Sequence, residues 1–352
     1  MSAAAGALIP IKEKEFSKID FVQDSILDCL SNYRQVQIVG GAGTGKTFIA
    51  IKKAIRDAIG GKRVLFTCCN EELVLFVKSK CSQLSKIDVY TYTELMHTLL
   101  GGKYELLPVN SNGNKCCFEW IDEIPLASKY DSIIVDEAQD FDVDMGLTVR
   151  SLLMNETDAS LYVFYDKNQN VFEMNFENAF AIDALPYVLR YNIRNTGSIY
   201  QCAVERTNLG RDTVANSIVG VHPEIHNYTR PSQTLKALSL IVNQLVQKEY
   251  VPAASIVIVS DTPYTRSVLA GEQRVGAYNL VFKHCKEAAE DEICFKTVEE
   301  FKGLESDVVI YLTHEFTDLA PSVVDNRKEY VAITRARYYL YILNTKCKAA
   351  IW

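Results

Sequence analysis

The sequence predicts an α/β protein with two successive sheets of mostly parallel strands, each flanked by helices. Short apolar runs that suit buried strands alternate with helical patterns in the first half of the chain, and a second series follows residue 185. Such alternation is typical of parallel sheets covered on both faces. The length of 352 residues and the hydrophobic content of 48% allow two cores of ordinary size. We therefore expect one domain over residues 1–184 and another over residues 185–352.

The first series opens with QVQIVG, which reads as a buried strand that leads into a glycine-rich turn and a helix. Elsewhere in this half, β-branched and aromatic runs favour strands, and apolar residues three or four apart favour helices. The predicted strands are 35–40, 63–69, 87–91, 132–136 and 160–166, and the predicted helices are 47–61, 71–84, 93–100 and 145–154.

The second series contains the same kinds of pattern in a less regular order. The predicted helices are 198–207, 239–247 and 327–337, and the predicted strands are 255–260, 278–282, 293–297, 307–312 and 338–343. Between the two predicted elements 93–100 and 132–136, the glycine- and asparagine-rich stretch 101–115 is loop-like.

Charge and hydropathy limit the classes of protein to consider. The net charge of −7 gives no overall basic field, so any contact with nucleic acid must come from a local groove. No apolar run approaches the roughly 18 residues that span a bilayer, and the N-terminal stretch lacks the pattern of a signal peptide. We expect a cytoplasmic protein. The histidines of HPEIH (222–226) depart from the zinc-binding HExxH pattern, so we expect no zinc site there.

The segment GGAGTGKT (40–47) fits the P-loop pattern G-x-x-x-x-G-K-[ST], and it lies between a predicted strand and a predicted helix. Glycines let backbone N–H groups surround phosphates at a helix N-terminus, where the helix dipole also favours an anion. Lys46 is expected to reach the β- and γ-phosphates, and Thr47 to bind Mg²⁺. The other expected nucleotide contacts are Gly41, Ala42, Gly43, Thr44 and Gly45.

A P-loop requires a carboxylate that helps to hold the metal, usually at the carboxyl end of a neighbouring parallel strand. The segment SIIVDEAQDF (132–141) supplies one, because a buried strand runs directly into acidic residues. Asp136 is expected to hold Mg²⁺, and Glu137 to polarise the water that attacks the γ-phosphate. These features predict NTP hydrolysis only, because kinases, GTPases and transporters also have P-loops.

DEAQD (136–140) resembles motif II of the UvrD/Rep-like branch of superfamily 1 helicases, and other segments resemble further motifs in the family's order. They are DFVQ (20–23), TCCN (67–70), TYTEL (91–95), YDKNQNVF (165–172), LRYNIRNTG (189–197), TVEEFKGLE (297–305) and EYVAITRAR (329–337). Several ordered matches are more specific than any one motif. The resemblance implies two tandem RecA-like P-loop NTPase domains that couple ATP hydrolysis to movement on single-stranded nucleic acid.

The resemblance also implies roles for individual residues. Gln23 would read the adenine edge, Glu305 would bind the ribose hydroxyl, and Gln169 would sense the γ-phosphate. Arg194 and Arg335 would act as arginine fingers, which stabilise charge on the γ-phosphate when ATP draws the two domains together. The implied contacts with a single strand are Thr67, Asn70, Thr91, Tyr92, Phe172 and Thr297.

Some features depart from the family pattern. Ile193 stands where the family usually has a tyrosine that stacks on the base, and Phe172 is the one matching aromatic residue after motif III. Since stacking contributes ~1–3 kcal/mol per base, we expect weaker strand binding. The intervals between motifs also leave no room for the two large accessory subdomains of full-length relatives. A partner protein, a fused domain or oligomerisation would have to supply the missing surface.

Two functional hypotheses follow. The first is a Mg²⁺- and ATP-dependent superfamily 1 helicase or translocase, with DNA favoured over RNA. The second is a nucleic-acid-stimulated ATPase switch, a subunit of a DNA-repair or defence complex that does no unwinding of its own. A P-loop kinase or GTPase would need an acceptor site or a base-specific motif that the sequence does not contain.

Overall fold

The computed structural model describes residues 20–155, 157–176, 178–283, 285–316 and 323–347. These residues form two compact units: an N-terminal unit, Asp20–Arg190, and a C-terminal unit that begins at Tyr191. The predicted division after residue 184 falls six residues before this one. Across the described residues, no helix combines the length and apolarity that crossing a bilayer requires.

The N-terminal unit contains one six-stranded sheet with the order β3-β2-β4-β5-β1-β6, in which every neighbouring pair is parallel. Its strands are β1 (Gln35–Gly40), β2 (Val64–Cys68), β3 (Ile87–Thr91), β4 (Ser132–Val135), β5 (Ser160–Tyr165) and β6 (Tyr187–Leu189). Its helices are α1 (Asp20–Leu30), α2 (Lys46–Ile59), α3 (Glu71–Cys81), α4 (Tyr92–Leu100), α5 (Lys103–Leu106) and α6 (Val143–Ser151).

Two helical layers explain why β4 is apolar at successive positions. Ile133 and Val135 pack into the core on one face of the sheet, whereas Ile134 packs into the core on the other. Successive side chains of a strand point to opposite faces, so a strand covered on both sides needs apolar residues throughout. The sheet order places β5 between β1 and β4. The carboxyl ends of these three parallel strands therefore meet at one edge.

The C-terminal unit contains a seven-stranded sheet with the order β7-β13-β12-β8-β11-β10-β9, in which the β9/β10 pair alone is antiparallel. Its strands are β7 (Glu224–Tyr228), β8 (Ile256–Ser260), β9 (Arg274–Val275), β10 (Tyr278–Val281), β11 (Glu292–Thr297), β12 (Ser306–Phe316) and β13 (Ala336–Cys347). Its helices are α7 (Gly197–Thr207), α8 (Pro231–Asn243) and α9 (Val323–Thr334), and a π-helical turn, Gln244–Lys248, continues α8.

The predicted fold class, α/β with two mostly parallel sheets flanked by helices, is confirmed. Several elements differ from the prediction. α1 was not predicted, and the predicted helix 327–337 ends at Thr334, after which β13 begins at Ala336. β6, β7 and β9 were not predicted, and the loop-like stretch 101–115 contains α5. β7 lies at a sheet edge, and two of its side chains are half-buried while the other three are exposed, so its sequence lacks the alternation of a half-buried strand. α8 begins eight residues before the predicted helix, at Pro231, a residue that suits the first turn of a helix.

A buried polar cluster fastens α2 to the amino ends of β4 and β5. The Lys53 ammonium lies 2.7 Å from a carboxylate oxygen of Asp57, and it lies 4.4 Å from the centre of the Tyr162 ring. The hydroxyl of Ser132 donates to the same carboxylate at 2.6 Å, and that of Ser160 donates to Ser132 at 3.0 Å. Burying a charge is costly unless it is paired and hydrogen-bonded, so each member of this cluster depends on the others.

Asp57→Ala should destabilise the N-terminal unit, because it leaves the buried Lys53 ammonium without its carboxylate. A loss of about 3–5 kcal/mol in the free energy of unfolding is expected for a broken buried pair. Asp28→Ala is the matched control, since Asp28 forms an exposed pair with Arg56 on the same helix, and such pairs contribute ~0–1 kcal/mol. Urea unfolding measures both variants, and equal losses would contradict the structural role of the cluster.

Candidate functional site

The segment between β1 and α2 forms a tight glycine-rich turn. Gly45 precedes the helix with φ 87°, a left-handed conformation that favours glycine. At Gly40, a Cβ atom would lie 2.5 Å from the Thr44 hydroxyl oxygen and 2.9 Å from the Cβ of Leu189, so a larger residue would displace the turn. The Thr44 hydroxyl donates to the carbonyl of Gly41 at 2.9 Å. This turn directs the chain into the N-terminus of α2, where backbone N–H groups favour an anion.

Lys46, the first residue of α2, is buried beneath the turn. Its ammonium donates to the carbonyls of Gly40 and Gly41 at 2.8 and 3.0 Å, and it lies 3.7 Å from a carboxylate oxygen of Asp166. The side chain therefore curls back under the loop that it follows. In a P-loop, the ammonium of the lysine at this position lies where it can bind the phosphates of a nucleotide.

Asp136 directly follows β4 and is fully buried. Its backbone N–H donates to the carbonyl of Thr67 at 3.0 Å, which ties the end of β4 to β2. One side-chain oxygen, Oδ1, accepts the N–H of Glu137 at 3.0 Å, while Oδ2 is buried without a hydrogen-bond partner among the described residues. Burial, and then the neighbouring Glu137, raise the pKa of Asp136 to about 7, although Thr47 and Lys46 oppose the shift. The ionised carboxylate thus needs a further cation.

The side chains present suit a magnesium ion that is bound together with a nucleotide. Asp136 offers a buried carboxylate oxygen, and Thr47 offers a hydroxyl close to it. Within the described ranges, no three His, Cys, Asp or Glu side chains converge as in a site made of protein ligands alone. Mg²⁺ is usually held by one or two protein groups together with substrate phosphates and water, which fits this sparse set.

Glu137 has a left-handed backbone, with φ 51° and ψ 42°, and is buried. Non-glycine residues rarely adopt this conformation, which persists where surrounding contacts fix it. The turn Ala138–Asp140 follows, and its Gln139 side chain donates to Glu137 Oε2 at 2.5 Å. The kinked backbone thus turns the carboxylate away from the strand direction and places it beside the side chain of Gln139.

Asp166, immediately after β5, joins these groups. Its carboxylate accepts the Gln169 side-chain amide at 2.7 Å and faces Lys46, and its backbone N–H donates to Gln139 Oε1 at 3.0 Å. Burial raises the pKa of Asp166, although Lys46 opposes the shift. The predicted residues Lys46 and Gln169 therefore contact Asp166, a residue to which the sequence assigned no role, and Gln139 links Glu137 to it.

The predicted strand contacts of the N-terminal unit differ in exposure. Thr67 is fully buried at the end of β2, and Tyr92 is buried with its ring 5.9 Å from that of Phe141, edge to face. Phe172, by contrast, is 48% exposed. Its ring has the accessibility that base stacking requires.

Two other predicted strand contacts cap helices. The Asn70 side chain accepts the N–H of Leu73 at 2.9 Å at the start of α3. Thr91 and Glu94 form a reciprocal capping box at the start of α4, in which each side chain accepts a backbone N–H of the other residue. The side chains of Asn70 and Thr91 thus hold the N-termini of α3 and α4 at the carboxyl edge of the sheet. Their role in strand binding stays a prediction.

In the C-terminal unit, Arg194 forms an ion pair with Glu305. Arg337 lies 3.7 Å from Glu305 and 3.1 Å from Asp307, so two arginines share one carboxylate. Although desolvation alone would raise it, the guanidinium groups of Arg194, Arg337 and Arg335 hold the pKa of Glu305 below its ordinary value. The structure thus brings together the predicted residues Arg194 and Glu305.

Arg335 lies nearby in the same unit but in a different environment. It is 1% exposed, and its guanidinium donates to the carbonyls of Val331 and Leu304 at 3.1 and 3.3 Å. The Asn195 side chain donates to the carbonyls on both sides of Arg335, which ties the NIR segment to the TRAR segment. Thr297 lies at the end of β11, away from these contacts, and its hydroxyl shares a hydrogen bond with Glu300.

The predicted adenine contact, Gln23, lies in α1, but its side chain is outside the described part of the structure. Among the residues of the two clusters, Asp166, Gln139 and Arg337 had no predicted role although they lie in recognised motifs. The sequence carried a signal for each, because they lie inside the segments YDKNQ, DEAQD and TRAR. Which side chain meets which within those segments depends on the folded geometry.

Comparison with known proteins gives the family. A model described as the viral superfamily 1 RNA helicase core domain matches residues 109–344, and one described as an AAA domain matches residues 23–175. No curated protein sequence gives a significant match.

Among solved structures, the chain is similar to Arterivirus nonstructural protein 10, a helicase, with TM-score 0.43, 14% identity, and coverage of 88% of this chain and 59% of that one. It is also similar to the complex of that helicase with DNA, with TM-score 0.41, 12% identity, and coverage of 88% and 60%. The chain spans about three fifths of the length of these helicases. Since the first family model covers more than half of the sequence, the chain belongs to the superfamily 1 helicase family.

Proposed function

We propose that this protein hydrolyses ATP in a reaction that single-stranded nucleic acid stimulates, and that the hydrolysis moves the protein along the strand. The observation that carries the proposal is the convergence of Lys46, Asp136, Glu137 and Asp166 at one edge of the N-terminal sheet. A buried lysine under a glycine-rich turn and buried carboxylates opposite it suit phosphoryl transfer. The nucleotide contacts proposed along the turn are Gly41, Ala42, Gly43, Thr44 and Gly45.

In the proposed reaction, the triphosphate replaces the carbonyls of Gly40 and Gly41 as the partner of Lys46. Glu137, which directly follows Asp136 and is buried, would accept the proton of the attacking water. Magnesium held by Thr47 and Asp136 would neutralise charge on the phosphates when it is bound. Gln169, whose side-chain amide donates to Asp166, would sense the γ-phosphate.

The C-terminal unit contributes positive charge and a ribose contact to this proposal. The guanidinium groups of Arg194 and Arg335 stabilise the charge that develops on the γ-phosphate oxygens. Glu305 binds the ribose hydroxyl, and Gln23 reads the adenine. Arg194 must exchange its ion pair with Glu305 for the phosphate, which makes the C-terminal unit responsive to nucleotide.

The proposed strand contacts are Thr67, Asn70, Thr91, Tyr92, Phe172 and Thr297. The sequence favours DNA and the UvrD/Rep-like branch, whereas the matching family model is that of viral RNA helicases. Both DNA and RNA are therefore candidate strands, and the measurement of ATP turnover compares them.

ATP turnover should rise when single strands are added. A strand that contacts Phe172 would order the neighbouring groups that bind the γ-phosphate. The measurement is phosphate release from the whole chain with no strand, with single-stranded DNA and with single-stranded RNA of matched sequence. Blunt duplexes of the same length are the control. Turnover that no strand changes would count against the proposal, and the preferred sugar identifies the substrate.

The segment between β3 and β4 is small and leaves little surface for separating strands. This favours a second candidate function. In that reading the protein is a strand-sensing ATPase switch that acts on a partner. A fluorescent tailed duplex separates the two, because a motor displaces the labelled strand during turnover. The switch would be favoured if a strand stimulates ATP turnover but the labelled strand is not displaced, whichever end of the duplex carries the single-stranded tail.

Lys46→Ala should abolish turnover, since it removes the ammonium that would bind the phosphates. The exposed surface of the same helix offers a matched control, Lys52→Ala, which breaks an exposed pair with Asp24. Phosphate release at saturating ATP measures both. Near-normal turnover by Lys46→Ala would contradict the proposed site.

Glu137→Gln should bind ATP with the affinity of the wild type and release phosphate at least about a hundredfold more slowly, because general base catalysis contributes roughly 10²–10⁴ in rate. A fluorescent ATP analogue measures binding, and single-turnover hydrolysis measures the chemical step. Near-normal single-turnover hydrolysis with intact binding would overturn the assignment of Glu137 as the base.

A further inference from the structure

Gln139 occupies an unusual position in the N-terminal unit. The side chain is fully buried, and its amide lies between the ends of two strands. Oε1 accepts the backbone N–H of Asp166 at 3.0 Å, and Nε2 donates to Glu137 Oε2 at 2.5 Å. One amide group therefore connects the segment that carries Glu137 with the segment that follows β5.

These two bonds fix the orientation of the amide. A backbone N–H can only donate, so the carbonyl oxygen of Gln139 must face Asp166 and the NH₂ group must face Glu137. The ionised carboxylate can only accept, so this arrangement satisfies both partners. The bond engages one oxygen of Glu137 and restrains the carboxylate, in a residue whose backbone is already left-handed.

The segment after β5 continues this connection to the surface. Asp166 caps the turn Lys167–Gln169 by accepting the N–H of Asn168. The Asn170 side chain then closes the next turn, because its amide donates to the Met174 carbonyl and its oxygen accepts the Met174 N–H, both at 2.9 Å. The half-exposed Phe172 lies within that closed turn.

We propose that Gln139 is a positioning residue for Glu137, and that it transmits strand binding at the Phe172 turn to that carboxylate. This inference rests on the proposed function above. A strand that stacks on Phe172 shifts or orders the segment from Asp166 to Met174, and the Asp166 N–H moves with it. Because Gln139 is bonded to both that N–H and the carboxylate, the base is brought into position when the strand is bound.

A buried glutamine could instead serve stability alone, since an amide bonded at both ends holds two segments together. The two roles predict different kinetics. If Gln139 only stabilises the fold, its substitution would lower the free energy of unfolding and with it the affinity for nucleotide. It would have no selective effect on the stimulation of ATP turnover by a strand. A positioning residue changes the stimulated rate while ATP and the strand still bind.

The test uses Gln139→Leu, which removes both bonds, and Gln139→Glu, which keeps the shape and an oxygen for the Asp166 N–H but loses the donor to Glu137. Strand-stimulated kcat should fall about tenfold to a hundredfold in each, the scale of a small misplacement of a reacting group. The dissociation constants for a fluorescent ATP analogue and for a labelled strand should not change. Asn168→Ala is the matched control, because its backbone N–H to Asp166 survives, and it should keep full stimulation.

Phe172→Ala alone and combined with Gln139→Leu completes the test. If Gln139 transmits the signal from Phe172, the double variant should be stimulated no less than the weaker single variant, since contacts on one route are not additive. Full stimulation of Gln139→Glu, or a loss of ATP affinity that accounts for its lower rate, would overturn the inference. Wild-type turnover that no strand stimulates would instead refute the proposed function.

Discussion

Several charged side chains are buried at the carboxyl edge of the N-terminal sheet, and much of the rest of the structure depends on them. Asp136, Glu137 and Asp166 are all at most 4% exposed, and Lys46 faces them from below the glycine-rich turn. Burying ionised carboxylates is costly, and a carboxylate without enough positive charge responds by a raised pKa. The shifts of Asp136 and Asp166 have this direction. Positive charge from a bound cation would therefore stabilise the ionised carboxylates at this edge.

The sheet must be rigid for such an edge to persist, and α2 supplies part of that rigidity at both of its ends. At its N-terminus the helix receives the chain from β1 and carries Lys46. Near its C-terminus, the buried pair of Lys53 and Asp57 bonds Ser132, the first residue of β4. The helix that presents the phosphate-binding turn is thus attached to the strand that presents Asp136, and the relative positions of the two groups depend on one helix and one strand.

The sequence was sufficient for elements in which local pattern and tertiary environment agree. β1, β3 and the glycine-rich turn have the predicted bounds because alternating burial in β1, the helix cap that follows β3 and positive φ in the turn each leave a strong local signature. β7 left none, since an exposed edge strand has little pattern to read. The bond from Gln139 to Asp166 joins residues 27 apart. No spacing rule predicts it, because it depends on β4 and β5 being neighbours in the sheet.

The two predicted arginine fingers lie in contrasting environments, which divides their roles. The Arg194 side chain is 17% exposed and pairs with a carboxylate that is 42% exposed, so solvent reaches the pair and weakens it. Exchanging that partner for a phosphate therefore costs little. Arg335 is buried and held by two backbone carbonyls, so moving it within the interior would leave a buried charge without these partners. The proposed exchange of partners is accordingly easier for Arg194, whereas the contacts of Arg335 with Val331 and Leu304 hold its guanidinium in place.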